Sequence, residues 1–315
     1  MVRSSFTSTK PRALRTQWAW LFCALLVGFG CLGGFVSAAT GESGVACPTY
    51  QRVSDVAVIL DSRLSEISGL AASRTQPGLL WVHNDSGDQA GVYAIDQQGR
   101  TVADVRLIGV EAFDCEDIAL GPGPDGSDCL YLADSGDNAA AREAIRIYRF
   151  HEPRIEIRDD GQISQLFVEY DVIEAVYPDG PRDAETLLID PISGDIVIIS
   201  KDFIRARAYR ISPAIDGVAT LEFLTEVPWG FMTGGDISPD GASILLRGYW
   251  HAEIWPRSTE GDEWWGTLAE LGCAVPLAQE LQGEAIGFSA DGRGYFSISE
   301  GIQPSLHFYR ILPST

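Results

Sequence analysis

The stretch "EDIALGPGPDGSDCLYLAD" (116–134) decides the fold. It contains two short apolar runs separated by "GPGPDG" (121–126). Gly, Pro and Asp favour tight turns, and short runs rich in Leu, Ile and aromatic residues are typical of strands. The stretch therefore predicts a β-hairpin whose first strand begins with an acidic residue, Glu116.

The same pattern occurs five times along the chain. Each copy begins with an acidic residue ahead of an apolar run, and the starts are 50, 69, 51 and 48 residues apart. The starting segments are "EISGLAAS" (66–73), "EDIALGPG" (116–123), "ETLLIDPI" (185–192), "DISPDGAS" (236–243) and "EAIGFSAD" (284–291). Repeats of this length indicate a supersecondary unit that is stacked or arranged in a ring.

Further strands follow each start. Second strands are predicted at 79–85, 129–134, 195–202, 243–250 and 294–301, and third strands at 91–96, 145–152, 207–212, 252–258 and 306–312. A fourth strand is visible at 101–108, 165–173 and 220–228. Four antiparallel strands per repeat predict an all-β fold, a β-propeller. We count five blades, and a sixth would have to lie in the 69-residue interval or around 259–283.

The last repeat lacks a fourth strand of its own. The unassigned segment "VAVILDS" (56–62) can supply it, which would close the ring with both ends of the chain in one blade. The predicted propeller domain spans 53–315, after an N-terminal arm at 39–52.

Several elements resemble exported bacterial propellers of the TolB-like, gluconolactonase-like and phytase-like group. They are "LLWVHNDSGD", "CEDIALGP", "LYLADSGDN", "YPDGPRDAETLLIDP", "GGDISPDG" and "QGEAIGFSADGRGYFSISEG", and the resemblance covers roughly 65–311. It implies a propeller, six blades being usual in that group. It also implies acidic clusters that bind calcium or another divalent metal.

The acidic starts of the repeats predict a ring of carboxylates. Innermost strands line the channel of a propeller, so Glu66, Glu116, Glu185, Asp236 and Glu284 are expected to face one another. Five like charges at one point are costly unless some are protonated or a cation lies among them. Oxygen ligands without His or Cys favour Ca²⁺ or Mg²⁺. The alternative is structural, with each acid capping backbone N–H groups between blades.

Two D-S-G-D tetrads, 85–88 and 134–137, end the second strands of adjacent blades. Gly87 and Gly136 permit left-handed turns, and the flanking acids can satisfy turn amides. We expect turns first, with Asp85, Asp134 and Asp137 as further metal ligands at the same end of the channel.

Positions at the same end of later blades carry other charges, namely Lys201, Arg247 and Glu300. A cation beside a metal ring would suit an anionic ligand, so Lys201 and Arg247 are candidates for holding one. Pairing with ring carboxylates is the equal alternative. His83, beside the first tetrad, is a candidate general base, although an ordinary hydrogen-bonded histidine explains it as well.

The N-terminal segment and the cysteines predict export. Four basic residues precede the apolar run 18–36 and the small residues 37–39, which is typical of a signal peptide cleaved near residue 38 or of an uncleaved anchor. Four cysteines lie beyond it, an even number that suggests two disulfides. Cys115 with Cys129 and Cys47 with Cys273 are the favoured pairs.

Composition limits the partners. The formal net charge is −21, which disfavours nucleic acid and anionic membranes. Two hypotheses remain for an expected monomer. One is a metal-dependent hydrolase of a small anionic ester, lactone or phosphoester. The other is a non-catalytic propeller that binds a protein or ligand, with a structural cation.

Overall fold

The computed structural model describes residues 47–85, 87–158, 160–211, 217–257 and 263–313. Within them the chain forms an all-β, five-bladed propeller. The predicted signal segment (1–38) lies outside the described residues, as does most of the predicted arm. No helix among the described residues is long and apolar enough to cross a membrane.

The first strand, β1 (Tyr50–Val58), belongs to the last blade. Blades 1 and 2 follow, with the strands β2 (Ile67–Ala72), β3 (Leu79–Asn84), β4 (Gly91–Asp96), β5 (Thr101–Leu107), β6 (Cys115–Pro122), β7 (Asp128–Asp134), β8 (Ile145–His151), β9 (Ser164–Val168) and β10 (Asp171–Val176).

Blades 3, 4 and 5 complete the ring. Their strands are β11 (Ala184–Ile189), β12 (Ile196–Ser200), β13 (Arg207–Ile211), β14 (Ala219–Thr220), β15 (Glu222–Glu226), β16 (Met232–Ile237), β17 (Ser243–Gly248), β18 (Ala252–Pro256), β19 (Cys273–Val275), β20 (Gly283–Phe288), β21 (Gly294–Ser299) and β22 (Ser305–Ile311). A 3₁₀ helix, Trp264–Ala269, precedes β19. The region around 259–283 therefore contributes the outer strand of blade 4 where it is described, and no sixth blade.

The ring closes as predicted, through an N-terminal strand. β1 pairs antiparallel with β22 and lies outermost in the sheet β1-β22-β21-β20. It begins earlier in the chain than the expected segment 56–62. The inner strands β2, β6, β11, β16 and β20 contact one another in ring order.

Blades 1, 2 and 3 are linked by exchanged strands, which accounts for the long 69-residue interval. The predicted fourth strand at 165–173 is in fact two strands. β9 pairs parallel with β5 of blade 1, and β10 returns to pair with β8 of blade 2. In the same way β14 pairs parallel with β10, while β15 completes blade 3.

The hydrophobic core is divided among the contacts between blades. The described residues form five buried clusters, each drawing side chains from two neighbouring blades. Between blades 1 and 2, for example, Trp81 packs in one cluster with Leu132. Burial of this apolar surface drives the blades together, at roughly 25 cal/mol per Å².

One of the two favoured disulfides is present. Cys47 is bonded to Cys273, which ties the chain just before β1 to β19 of blade 4. The pairing of Cys115 with Cys129 is wrong, and both thiols are free and buried. In the register of β6 and β7, Cys129 lies opposite Gly121 and Cys115 opposite Asp134. Six residues of strand separate the two positions, roughly 20 Å, which is too far for a disulfide.

Candidate functional site

A β-bulge near the start of every inner strand gives a structural alignment of the blades. Each bulge adds one residue relative to the second strand, and these residues are Ser68, Glu116, Glu185, Thr233 and Glu284. Glu66 stands two positions before this ring, and Asp236 three positions after it. The ring expected to hold five carboxylates therefore holds three, because alignment on the first acidic residue shifts two of the blades.

Two more rings share the same end of the channel. One ring consists of the residues two positions before each bulge, namely Glu66, Asp114, Asp183, Phe231 and Gln282. The other ring consists of the residues that directly follow the last paired residue of each second strand, namely Asp85, Ser135, Lys201, Tyr249 and Glu300. We call these three rings the mouth. Eight of its fifteen positions are acidic and one is a lysine. Blade 4 contributes no charged residue to the mouth.

Five of the carboxylates form two triads that could each hold a metal ion. One triad is Asp85, Asp114 and Glu116, and the other is Glu116, Asp183 and Glu185. Within each triad the three residues offer oxygen atoms that all lie within 4.8 Å of one another. Glu116 belongs to both triads and therefore lies between them.

Two local features indicate that this convergence is built into the fold. A Cβ atom at Gly136 would overlap the carboxylate oxygens of Glu116 and Asp114, so only glycine leaves room for them. Glu185 is 3% exposed, and its Oε2 is buried without a hydrogen-bond partner. A buried carboxylate oxygen without a partner is costly, and a ligand at the mouth would remove that cost.

Three carboxyls of the triads resist ionisation. Burial, reinforced by Asp85, raises the pKa of Asp114 to about 7. Burial also raises the pKa of Glu185 to about 8, although Lys201 opposes the shift. Burial and the neighbouring Glu185 raise the pKa of Glu116 well above its ordinary value. These groups compete for the same small space, so protons or a cation must offset their charge at neutral pH.

Blade 5 adds a pair of carboxyls. Glu284 is hydrogen-bonded to Glu300, and Glu300 also accepts a bond from Gln282 Nε2 at 2.8 Å. Burial, followed by Glu185, raises the pKa of Glu284 to about 7, while burial and Glu284 raise the pKa of Glu300 to about 8. The Glu66 side chain is exposed at the rim, and its backbone oxygen accepts the N–H of Asp85.

The second tetrad positions the triads. Asp134 is fully buried, and its carboxylate accepts the N–H groups of Phe113 and Asp114 and pairs with Arg142 at 2.8 Å. Asp137 caps the following turn by accepting N–H groups, and its own N–H donates to Asp183 Oδ1 at 2.8 Å. Both acids therefore orient the carboxylates of the triads, and neither is in a triad.

The first tetrad divides its roles. Asp85 belongs to a triad, whereas the Asp88 carboxylate accepts bonds from Asn84, Gln89 and Tyr93 and serves the turn. Gly87 has φ +92° and adopts the expected left-handed conformation. Gly136 is not among the residues with positive φ, since its role is to leave space.

The two basic candidates lie in different surroundings. Lys201 is in the mouth and pairs with Glu185 Oε1. Burial works against its charge, but Glu185 more than offsets this and raises the pKa of the lysine. Arg247 lies deeper, two residues before the mouth position that Tyr249 occupies, and is completely buried. Its guanidinium pairs with Glu280 at 3.0 Å and donates to Ala285 O, so it is not exposed to an incoming anion.

His83 occupies in blade 1 the position that Arg247 occupies in blade 4. Its ring is 1% exposed and Nδ1 lies 2.9 Å from the carbonyl oxygen of Asn84. Nε2 has no partner and lies against Gly69. Burial lowers the pKa of His83 to about 4, so the imidazole is neutral at pH 7.

Asp236 fills a structural position. It is half-buried, and its carboxylate accepts N–H groups from Ile237 and, at 2.8 Å, from Phe288 of the next blade. Burial raises its pKa to about 7. Asp117 has the same arrangement toward Ile118 and Leu187. These acids join neighbouring blades, which is the structural alternative weighed for the repeat acids.

The rim of the mouth carries several exposed apolar side chains. Large exposed side chains occupy the loops at this end of the blades, namely Leu60, Phe113, Phe203, Ile204, Trp250, Leu281 and Ile302. On the uncharged side the rings of Phe203 and Phe231 lie 4.8 Å apart, and Tyr249 lies 5.0 Å from Lys201 Nζ. The mouth is thus acidic on one side and aromatic on the other.

Sequence reasoning missed Asp114 and Asp183. Both stand two residues before a bulge glutamate, in "DCE" (114–116) and "DAE" (183–185). A repeated D-x-E at the start of an inner strand was the available signal, since residues two apart in a strand share a face.

Comparison with known proteins identifies no family. No family model matches the chain, and no curated protein does either. Among solved structures, a luciferin-regenerating enzyme is matched over 84% of this chain and 95% of its own, with 11% identity and a TM-score of 0.46. A gluconolactonase from Xanthomonas campestris is matched over 78% of this chain and 72% of its own, with 13% identity and a TM-score of 0.43. At these values the likeness does not bear on activity.

Proposed function

We propose that the protein binds a divalent cation among the carboxylates of the mouth, with Ca²⁺ as the first candidate. The observation that carries the proposal is the unpartnered, buried Oε2 of Glu185 within a group of converging carboxylates. The ligand set is oxygen alone, which suits Ca²⁺ or Mg²⁺ better than zinc or copper.

Electrostatics favours a cation over protons alone at neutral pH. Lys201 neutralises only one of the mouth carboxylates, through Glu185. The carboxyls of Asp114 and Glu284 have pKa values of about 7, so near neutral pH their protons are held weakly enough for a cation to displace them. Metal binding then releases protons and becomes tighter as the pH rises.

We further propose that the bound cation supports hydrolysis of a small anionic ester, lactone or phosphoester. Such a cation supplies Lewis-acid polarisation of the substrate. The chain itself would contribute a mouth with an aromatic side near Tyr249 for the uncharged part of a substrate. His83, expected as a general base, is 1% exposed at the position that Arg247 occupies in blade 4, and it would therefore not contact the substrate. Of the two basic residues expected to hold the anion, only Lys201 is in the mouth.

The test is a calcium titration of chelator-treated protein by calorimetry, followed by a hydrolysis screen with and without the ion. Glu116→Gln should lower the affinity at least about tenfold, because a neutral amide replaces a charged ligand. Glu222→Gln, which removes an exposed charge on the outer strand β15, outside the mouth, is the matched control and should retain the affinity. Wild-type protein that binds no divalent cation would refute the proposal.

A second candidate function rests on the exposed apolar rim. Apolar side chains such as Phe203, Trp250 and Ile302 stand 69–90% exposed at one end of the molecule, and exposed apolar patches commonly mark binding surfaces. This favours a non-catalytic propeller that binds a protein partner at the mouth. Cation binding without hydrolysis in the screen would favour it over the hydrolase.

The cellular location and the oligomeric state of the protein are proposals as well. The Cys47–Cys273 disulfide is typical of an oxidising compartment and agrees with export. Periplasmic, cell-surface or extracellular location, cleavage of the signal and a monomeric state are proposed on sequence grounds. The net charge of −21 argues against nucleic acid as a partner.

A further inference from the structure

The two triads suggest more than one ion. We propose that the mouth holds two divalent cations, one in each triad, with the carboxylate of Glu116 shared between them. This inference rests on the proposed cation binding and adds its stoichiometry and ligands. The first ion would be held by Asp85, Asp114 and Glu116, and the second by Glu116, Asp183 and Glu185.

The charge of the triads agrees with two ions. Their five carboxylates and the paired Lys201 give a formal charge of −4. One divalent cation would leave half of that formal charge to be offset by protons, whereas two would neutralise all of it. The neighbouring Arg142 does not change this count, because its guanidinium is paired with Asp134 outside the triads.

Each triad also has an observation of its own. In the second triad Glu185 keeps one oxygen on Lys201, while Oε2 is buried without a partner. In the first triad Gly136 leaves open the volume into which Glu116 and Asp114 point. Glu116 is 2% exposed, and a carboxylate has two oxygens, so one group can serve both sides.

The two triads have the same sequence origin. "DCE" (114–116) and "DAE" (183–185) occupy equivalent positions in neighbouring blades. Blade 5 has Gln282 at the position of the aspartate, and blade 1 has Ser68 at the position of the glutamate. The complete D-x-E pair therefore occurs in two adjacent blades, which places the two ions side by side.

The test is the stoichiometry of calcium binding to the full chain, measured by calorimetry and by elemental analysis after gel filtration. Wild-type protein should bind two ions. Asp85→Asn and Asp183→Asn should each bind one, because each change removes a ligand of only one triad. Glu116→Gln should weaken both sites at least tenfold, and the control Glu222→Gln on the outer strand β15 should still bind two ions.

The outcomes separate this inference from the proposed function. If the wild type binds only one ion, the two-ion proposal is wrong although cation binding remains. The same holds if Asp85→Asn and Asp183→Asn each lose the same single ion. No binding at all would overturn both. If Asp85→Asn does not fold, Asp114→Asn tests the same triad. Mn²⁺ offers an independent readout, since two ions that share a carboxylate should give an exchange-coupled electron paramagnetic resonance spectrum.

Discussion

Single residues set the chemistry of the mouth, and a glycine is among the most informative. The carboxylates of Glu116 and Asp114 occupy the space that a side chain at Gly136 would need. Gly136→Ala should therefore displace them and lower calcium affinity at least about tenfold, because ligand positions must converge on the ion.

Calorimetric titration checks this. Gly266→Ala is the matched control, since nothing lies within 4 Å of a Cβ at that position. Equal calcium affinity in wild type and Gly136→Ala would show that the carboxylates near Gly136 do not hold the ion.

Asp236 was expected to be a metal ligand, and its contacts assign it a different part. Asp236→Asn should destabilise the fold by about 1–3 kcal/mol, because one acceptor for the N–H groups of Ile237 and Phe288 becomes a donor. Calcium affinity should stay unchanged. Chemical denaturation together with a calcium titration measures both, and a loss of affinity without a loss of stability would return Asp236 to the site.

At the residue scale the sequence predicted that acidic residues cluster at the channel, but it did not predict all of the residues in the cluster. Glu116 and Glu185 were candidates because an acid recurs at the start of the repeats, and Asp85 was one because it belongs to a D-S-G-D tetrad. Asp114 and Asp183 were missed, and Asp236 was included, because β-bulges shift the register by amounts that a linear alignment does not reveal. Which residues face the mouth depends on contacts between neighbouring blades, and a linear sequence does not show those contacts.

The strands were easier to predict than the residues of the site. Hairpins are local, so their turn residues and apolar runs are visible in the sequence. The exchanged strands β9 and β14 pair with neighbouring blades, and nothing local distinguishes them from ordinary outer strands. The disulfide pairing failed for Cys115 and Cys129 because the length of the hairpin was ignored.

The Cys47–Cys273 bond, which spans 226 residues, ties the chain just before the closing strand β1 to β19. Cys47→Ser should lower the free energy of unfolding by about 2–5 kcal/mol, because the unfolded chain is no longer restrained and β1 loses its tie to β19. Reducing agent should lower the thermal midpoint of the wild type and leave that of Cys47→Ser unchanged. An identical response of both proteins to reduction would contradict this account.

The molecule as a whole should respond to pH in an unusual direction. Burial raises the pKa of Asp114, Glu185, Glu284 and Glu300 to about 7 or 8, well above the values near 4 of an unfolded chain. Folded protein thus holds protons that unfolded protein releases, so this contribution to stability is complete below about pH 4 and is lost as the pH rises through 8.

The thermal midpoint of chelator-treated protein should therefore fall by several degrees between pH 5 and pH 8. Calcium should remove most of that fall, because the ion replaces the protons. A midpoint that rises over this range without calcium would show that the mouth carboxyls are ionised in the folded state without a cation.

The architecture of the molecule followed from the repeat, whereas the proposed ion site depends on side chains from several blades that meet only in the folded ring. The most direct test of that site is thermal unfolding of chelator-treated protein at pH 7.5 over a series of calcium concentrations, with Glu116→Gln in parallel. A cation that binds only the folded state raises the midpoint steadily once its concentration exceeds the dissociation constant. We predict such a rise in the wild type and a much smaller one in Glu116→Gln. No rise in the wild type with Ca²⁺, Mg²⁺ or Mn²⁺ would contradict the claim that the mouth is a cation site.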